Sequence, residues 1–380
     1  MTDRISPARP TLGSRVLPAV RIAVPAWVIA RALVTVAYLT ARYLERHGHL
    51  HDALAPTTVR QGLLAWDGAF YADIAQHGYA ALPRPALRFF PLTPLLGRAV
   101  GWIGVGPRVG VVIVANLAAL AAGALLVLLV RSEGFAPGVA RRSAWILALA
   151  PSAFVLVLGY AEGVFLVLAI GIFLAARRRH WWVVVALGLL AGLSRPSGFV
   201  VAVPVAIEAV RAWRSAPIAE RVRSGVAVVA PFVGTVAFLA WVDDVFGDGL
   251  LPFRVQTRAN LKGAFTDPVT SISDAVSGMF HGHIGTGLHV PWMILVAVLV
   301  VLAFRRLPAS YGAFALATVA SAVTSANLDS FERYALGAFP LVIVAALLLT
   351  DRRWAIAAIT ASSVAMTAYA TLAFAHAYVP

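Results

Sequence analysis

Cysteine is absent from the 380 residues, which rules out disulfides, thiolate metal sites and a cysteine nucleophile. Lysine occurs once, at Lys262, so arginine carries the basic character and reflects GC-rich coding bias as much as chemistry. No argument can rest on arginine having been selected over lysine. Charged residues make up only 13% of the chain against 60% hydrophobic, and the mean hydropathy is +0.83. That leaves too little polar surface to cover a soluble globule of this length. The chain reads as an integral membrane protein, a single domain over residues 1–380 with no soluble module, low-complexity tract or internal repeat.

A net charge of +14 suggests nucleic acid until the arginines are placed. Arg131, Arg141 and Arg142, Arg177 to Arg179, Arg211 and Arg214, Arg221 and Arg223, Arg305 and Arg306, and Arg352 and Arg353 sit at the ends of apolar runs, as positive-inside topology requires. The charge therefore encodes orientation, and no nucleic-acid partner is expected. The polar stretch up to Val16 runs into a span-length apolar segment, which is expected to be an uncleaved anchor with a cytoplasmic N-terminus.

A crossing needs roughly 20 apolar residues, and arginine clusters mark the cytoplasmic ends. Residues 22–44 are expected to run outward into an outside region, 45–107. Its 89–105 stretch contains Arg98 and lies in the outer interface as an amphipathic or re-entrant helix. Residues 108–130 return to Arg131, 143–158 go out, and 160–176 come back after the turn at Gly159-Tyr160-Ala161-Glu162. Residues 181–210 have arginines at both ends and a break at Ser194-Arg195-Pro196-Ser197-Gly198, which predicts two half-helices in a V. Proline cannot continue the helix, and freed backbone at membrane depth is tolerated only against protein or a water-filled cavity. Arg195 should face a polar cavity. Residues 224–242 lead to a second outside loop, 247–289, and spans at 290–304, 308–325, 333–350 and 354–375 follow.

This topology collects Asp67, Asp73, Arg88, Glu162, Asp243, Asp244, Arg258 and Arg333 on one side, with Arg195 reaching it from below. Polar groups near hydrocarbon are costly, so a one-sided collection of acids and bases marks an outward-facing site. A carboxylate there can act as general base towards a hydroxyl, and arginines can hold a phosphate. Trp66, Phe70, Tyr71 and Tyr79 can stack on a sugar or line a groove for a prenyl chain. Together these suit transfer of a sugar from a lipid phosphate carrier. Three histidines, His281, His283 and His289, share the second loop, but glycines separate them and no acid lies nearby in sequence, so a metal site is not indicated.

Trp66-Asp67-Gly68 with Tyr71, Ile74-Ala75 and Gly78-Tyr79, then Phe89-Phe90-Pro91-Leu92 and Pro94, then Tyr160-Ala161-Glu162, Ser194-Arg195-Pro196-Ser197-Gly198, Arg333-Tyr334 and Phe339-Pro340, resembles the bacterial, particularly actinobacterial, branch of the PIG-V type mannosyltransferases. The likeness extends from about Ala65 to Pro340. It implies an all-α polytopic GT-C type fold with about 11 membrane segments, including a pair of half-helices, and outer-face juxtamembrane helices. It also implies inverting transfer of mannose from polyprenyl-phosphate-mannose to a glycolipid, glycan or protein hydroxyl at the outer face of the plasma membrane; no cofactor is expected, and a divalent metal, though compatible with this chemistry, is not indicated. Carried over by position, Asp67 would be the catalytic base or acceptor-orienting carboxylate. Glu162, Arg195 and Arg333 would lie near donor phosphate or acceptor. Trp66, Tyr71, Asp73, Arg88, Arg258 and Tyr334 complete the expected binding set.

Plainer roles stand beside these. Asp67 and Glu162 could cap helices, Asp73 could face water, Arg195 could snorkel or make a structural ion pair, and Arg333 could anchor the interface beside Glu332. Another sugar on the same carrier, such as glucose or arabinose, fits the same residues. A lipid-linked-sugar transporter gated at the Arg195 break is the alternative from a different class.

Overall fold

A computed structural model describes residues 12–47, 56–257, 266–280, 289–324, 328 and 330–379. Among these there is no strand, and the protein is an all-α polytopic membrane protein. In chain order the α-helices are α1 (Leu12–His47), α2 (Pro56–Gln61), α3 (Asp67–His77), α4 (Leu92–Gly101), α5 (Pro107–Ser132), α6 (Pro137–Leu149), α7 (Glu162–Ala176), α8 (Trp181–Gly192) and α9 (Ala202–Trp213). They continue with α10 (Ile218–Phe246), α11 (Leu251–Gln256), α12 (Pro268–Phe280), α13 (His289–Arg306), α14 (Ala309–Ala322), α15 (Phe331–Gly337), α16 (Phe339–Leu348) and α17 (Arg352–Phe374).

Five of these, α1, α5, α10, α13 and α17, are long and apolar enough to cross a membrane singly, six if the α15–α16 pair is counted as one bent span. Three shorter apolar helices, α7, α8 and α14, accompany them. The expected eleven segments are therefore not eleven unbroken helices, and proline is the reason at three places. Expected span 143–158 starts earlier, at Pro137, and stops at Leu149. Pro151 has no amide to donate and forces Ala150 to an extended ψ of 150°, so the chain continues as a 3-10 turn over Pro151–Leu156. Expected span 333–350 is α15 and α16 meeting at 82°, broken at Ala338 just before Phe339-Pro340. The predicted break at Ser194–Ser197 separates α8 from α9.

The two half-helices α8 and α9 form a V against α10. Trp181 at the start of α8 donates to Glu220 near the start of α10 (3.2 Å), and Arg179 reaches Ser215, just past α9 (3.0 Å). The tip lies beside Thr235, whose hydroxyl is 3.3 Å from the Gly192 carbonyl. Fifteen residues of α10 separate those levels, about 22 Å of helix rise. Contact is close because the seam is glycine-lined: a Cβ on Gly192 would lie 2.0 Å from the Pro231 carbonyl oxygen, and one on Gly234 2.1 Å from that of Leu189.

Helix α4 has ten residues, roughly 15 Å, too short for a crossing of about 30 Å. It packs flat on α5 and α3, with Trp102 and Ile103 exposed at its end. The second outside loop contains α11 and α12; Arg258, Asn260, Lys262, His281 and His283 lie outside the described residues.

At the centre stands α7, buried along almost all of its length. Its C-terminal end carries a charged network. Arg177 grips the Glu133 carboxylate with two bonds of 2.8 and 2.7 Å, Tyr311 donates to Glu133 (3.0 Å), and Ser310 donates to Glu208 (2.6 Å). This ties α5, α7, α9 and α14 together at the arginine-rich end, about 22 Å of helix from Glu162 at the other end.

Candidate active site

Most residues of the site come from a helix start or a helix break. Asp67 begins α3, and the residue before it, Trp66, has φ 58°. That conformation is strained for a side chain other than glycine, at about 1–3 kcal/mol. The Asp67 amide donates to the Tyr160 hydroxyl (3.3 Å), and the Gly159 amide donates to the Leu63 carbonyl (2.8 Å). The turn before α7 is thus fastened to the turn before α3. Glu162 is the first residue of α7. The turn that delivers it is held by Asn116 and Arg31, which donate to the Val157 and Leu156 carbonyls (2.9 and 3.0 Å) at the end of the 3-10 turn.

Opposite stands Arg333 on the short helix α15. Its Nη1 donates to Asp67 Oδ2 at 2.6 Å, and its Nε lies 3.5 Å from Glu162 Oε1 without forming a hydrogen bond. Arg88 Nη2 approaches Asp67 Oδ1 at 3.6 Å, and the guanidinium rests over Phe89 and Phe70 at 4.7 and 5.6 Å. The Nε donors of Arg88 and Arg333 are both buried without a hydrogen-bond partner among the described residues.

Arg195 at the tip of the V is 6% exposed. Its guanidinium lies over the rings of Phe165 (5.1 Å) and Tyr334 (5.0 Å), and Tyr334 also underlies Arg333 at 5.4 Å. Among the described residues no carboxylate lies within ion-pair distance of Arg195. The Leu92 amide donates to the Leu193 carbonyl (3.0 Å), which joins the Phe-Phe-Pro segment to this tip. Burial, then the Glu162 and Asp67 carboxylates, push the Tyr71 phenol well above its usual range against the pull of Arg195 and Arg333. Tyr71 is therefore a neutral O–H beside the charges.

The structure thus gathers Asp67, Tyr71, Arg88, Glu162, Arg195, Arg333 and Tyr334. Three guanidiniums face two carboxylates, a formal balance of +1 that suits a singly charged phosphodiester. Asp73 is not in this group: it faces away on α3 and pairs with Arg108 of α5 at a half-exposed position. Asp243 and Asp248 also sit elsewhere, accepting from the Gly249 and Leu250 amides of their own loop. The Trp66 indole is engaged by the protein, donating to the Ala373 carbonyl (2.8 Å) and stacked on His376. Arg98 closes the end of α3, donating to the Ala75 and Ile74 carbonyls (2.6 and 3.2 Å).

Sequence reasoning missed Tyr160 as a contact of Asp67 and Arg333, though the buried-turn pattern Gly-Tyr-Ala-Glu marks it. It also missed that His289 has an acidic partner, Glu332, at 2.8 Å and 43 residues away. Among the described residues no three His, Cys, Asp or Glu side chains gather as a metal site would require.

No protein-family model and no curated protein matches the chain. Among solved structures it is similar to an oligosaccharyltransferase of Archaeoglobus fulgidus, determined with an acceptor peptide containing the NVT sequon tethered through a disulfide. The identity is 13% and the TM-score 0.42, with 97% of this chain and 55% of that chain covered. The chain spans about half the length of that structure.

Proposed function

We propose that this protein is a GT-C type glycosyltransferase that moves mannose from polyprenyl-phosphate-mannose to a hydroxyl acceptor, an outer-face glycolipid, glycan or protein, at the plasma membrane. The observation that carries this reading is the grouping of Asp67 with Arg333, Arg88, Glu162 and Arg195 at one end of the helix bundle. Mannose rests on the motif resemblance from Ala65 to Pro340.

In this mechanism the guanidiniums of Arg195, Arg88 and Arg333 bind the donor phosphate. Asp67 accepts the proton of the acceptor hydroxyl as its oxygen attacks the anomeric carbon from the opposite side. The bond to phosphate breaks, the polyprenyl phosphate departs with the electron pair, and the guanidiniums stabilise the charge it gains. Glu162 keeps Arg333 oriented, and neutral Tyr71 donates to the sugar or the phosphate. The chemistry needs only these side chains.

The test is transfer from radiolabelled polyprenyl-phosphate-mannose to membrane lipid extract by purified protein in nanodiscs. Folded Asp67→Asn should lose about 10²- to 10⁴-fold in turnover, the usual contribution of a general base. Undiminished turnover in that variant would remove Asp67 from the chemistry.

A further inference from the structure

The Asp67–Arg333 pair is held from behind by the end of α17 and the residues just after it. Asp67 and Arg333 each have a chain neighbour that points away from the site, Trp66 and Glu332. Both are gripped by residues Ala373–Tyr378. The Trp66 indole donates to the Ala373 carbonyl (2.8 Å) and lies on the His376 ring with centroids 4.5 Å apart and planes within 2°. His376 Nδ1 is 3.1 Å from the Thr58 hydroxyl of α2. On the other arm, the Tyr378 hydroxyl donates to Glu332 Oε2 (3.0 Å), while Glu332 Oε1 meets His289 Nδ1 (2.8 Å) and its backbone carbonyl accepts from Ser152 (3.0 Å). The Tyr378 ring is set edge-on against Tyr369, centroids 4.8 Å apart.

Backbone strain follows the same path. Among the described residues four besides glycine have positive φ: Trp66 (58°), Arg179 (59°), Ser330 (66°) and His376 (59°). Three of the four lie in this assembly, since Trp66 precedes Asp67, Ser330 precedes the short helix bearing Arg333, and His376 joins them. Such residues persist only where surrounding contacts over-determine them.

We propose that Ala373–Tyr378 is a brace that sets the Asp67–Arg333 geometry, with His376 and Tyr378 as positioning residues. The proposal rests on the glycosyltransferase reading for its kinetic consequence. Its structural core, that His376 fixes Trp66, stands apart from it.

The experiment uses the full-length protein in nanodiscs, carrying 5-fluorotryptophan with the Trp66 resonance assigned through Trp66→Phe. His376→Ala should move the Trp66 fluorine resonance, and His376→Phe, which keeps a flat ring, should restore it. In transfer assays His376→Ala and Tyr378→Phe should each lower kcat about 10- to 100-fold with donor KM nearly unchanged, as a misplacement near 1 Å does. His376→Phe should recover most of the turnover. An unmoved resonance in His376→Ala overturns the proposal. So does unchanged kcat in both variants, or a kcat loss that the phenylalanine does not rescue. If wild type transfers no sugar from any prenyl phosphate, the functional reading fails while the fluorine result still decides the brace.

Discussion

Arg195 concentrates the argument at the scale of one residue. A buried guanidinium without a carboxylate costs several kcal/mol of desolvation. Two aromatic faces at 5.1 and 5.0 Å offset some of that, each contributing about 2 kcal/mol when desolvated. In the proposed mechanism a phosphate oxygen supplies an acceptor there. Arg195→Ala is expected to raise donor KM about 10- to 100-fold, the loss of one charge-assisted hydrogen bond of about 1.5–3 kcal/mol. Arg195→Lys should recover only part of it, because an ammonium cannot reproduce the planar fork or its stacking on Phe165 and Tyr334. Equal donor KM in wild type and Arg195→Ala would take this residue out of the phosphate site. The residue types were legible: a Ser-Arg-Pro-Ser-Gly break announces a charge delivered to membrane depth. The partnerships were not, since Arg333 and Asp67 stand 266 residues apart and such pairs leave no periodic mark in a sequence.

At the scale of elements, the V of α8 and α9 depends on how closely it lies on α10. Gly234→Ala places a Cβ 2.1 Å from the Leu189 carbonyl oxygen, so α8 must shift, with an overpacking cost of about 1–3 kcal/mol. Gly225 lies on the same helix with nothing within 4 Å of its would-be Cβ. Gly225→Ala should hold or slightly raise stability through helix propensity, up to about 1 kcal/mol. Thermal unfolding in detergent, comparing the two, should show a lowered midpoint for Gly234→Ala alone. The V itself was readable because arginines flank it and a proline splits it. The interruptions at Pro151 and at Ala338–Pro340 were read as continuous spans, because apolar composition carries on across both and hydropathy does not register a missing amide. Short α4 was recognised from Arg98 and its glycines, yet the work of Arg98 in closing α3 depends on a tertiary approach that spacing does not reveal.

For the whole molecule, α7 has the mixed-charge site at its first residue and the Arg177–Glu133–Glu208 network past its last. The positive-inside reading places the network in the cytoplasm and the site outside. A chain without cysteine permits a direct check. With single cysteines at the exposed positions Ala81 and Arg214, a membrane-impermeant maleimide should label Ala81→Cys in intact cells and Arg214→Cys only after permeabilisation. The reverse pattern would invert the orientation. Three helix interruptions, at Ala150–Pro151, at Ser194–Ser197 and at Ala338, lie around the one site, the second carrying Arg195 into it. If the site faces outward and opens to water, as the proposed function requires, the insulating layer beneath it has the length of α7. Most of the voltage of an energised membrane then falls across α7 beneath the site. In the proposed reaction, charge migrating from sugar to phosphate would do almost no work against that field, so transfer should proceed at the same rate whether the cell is polarised or not.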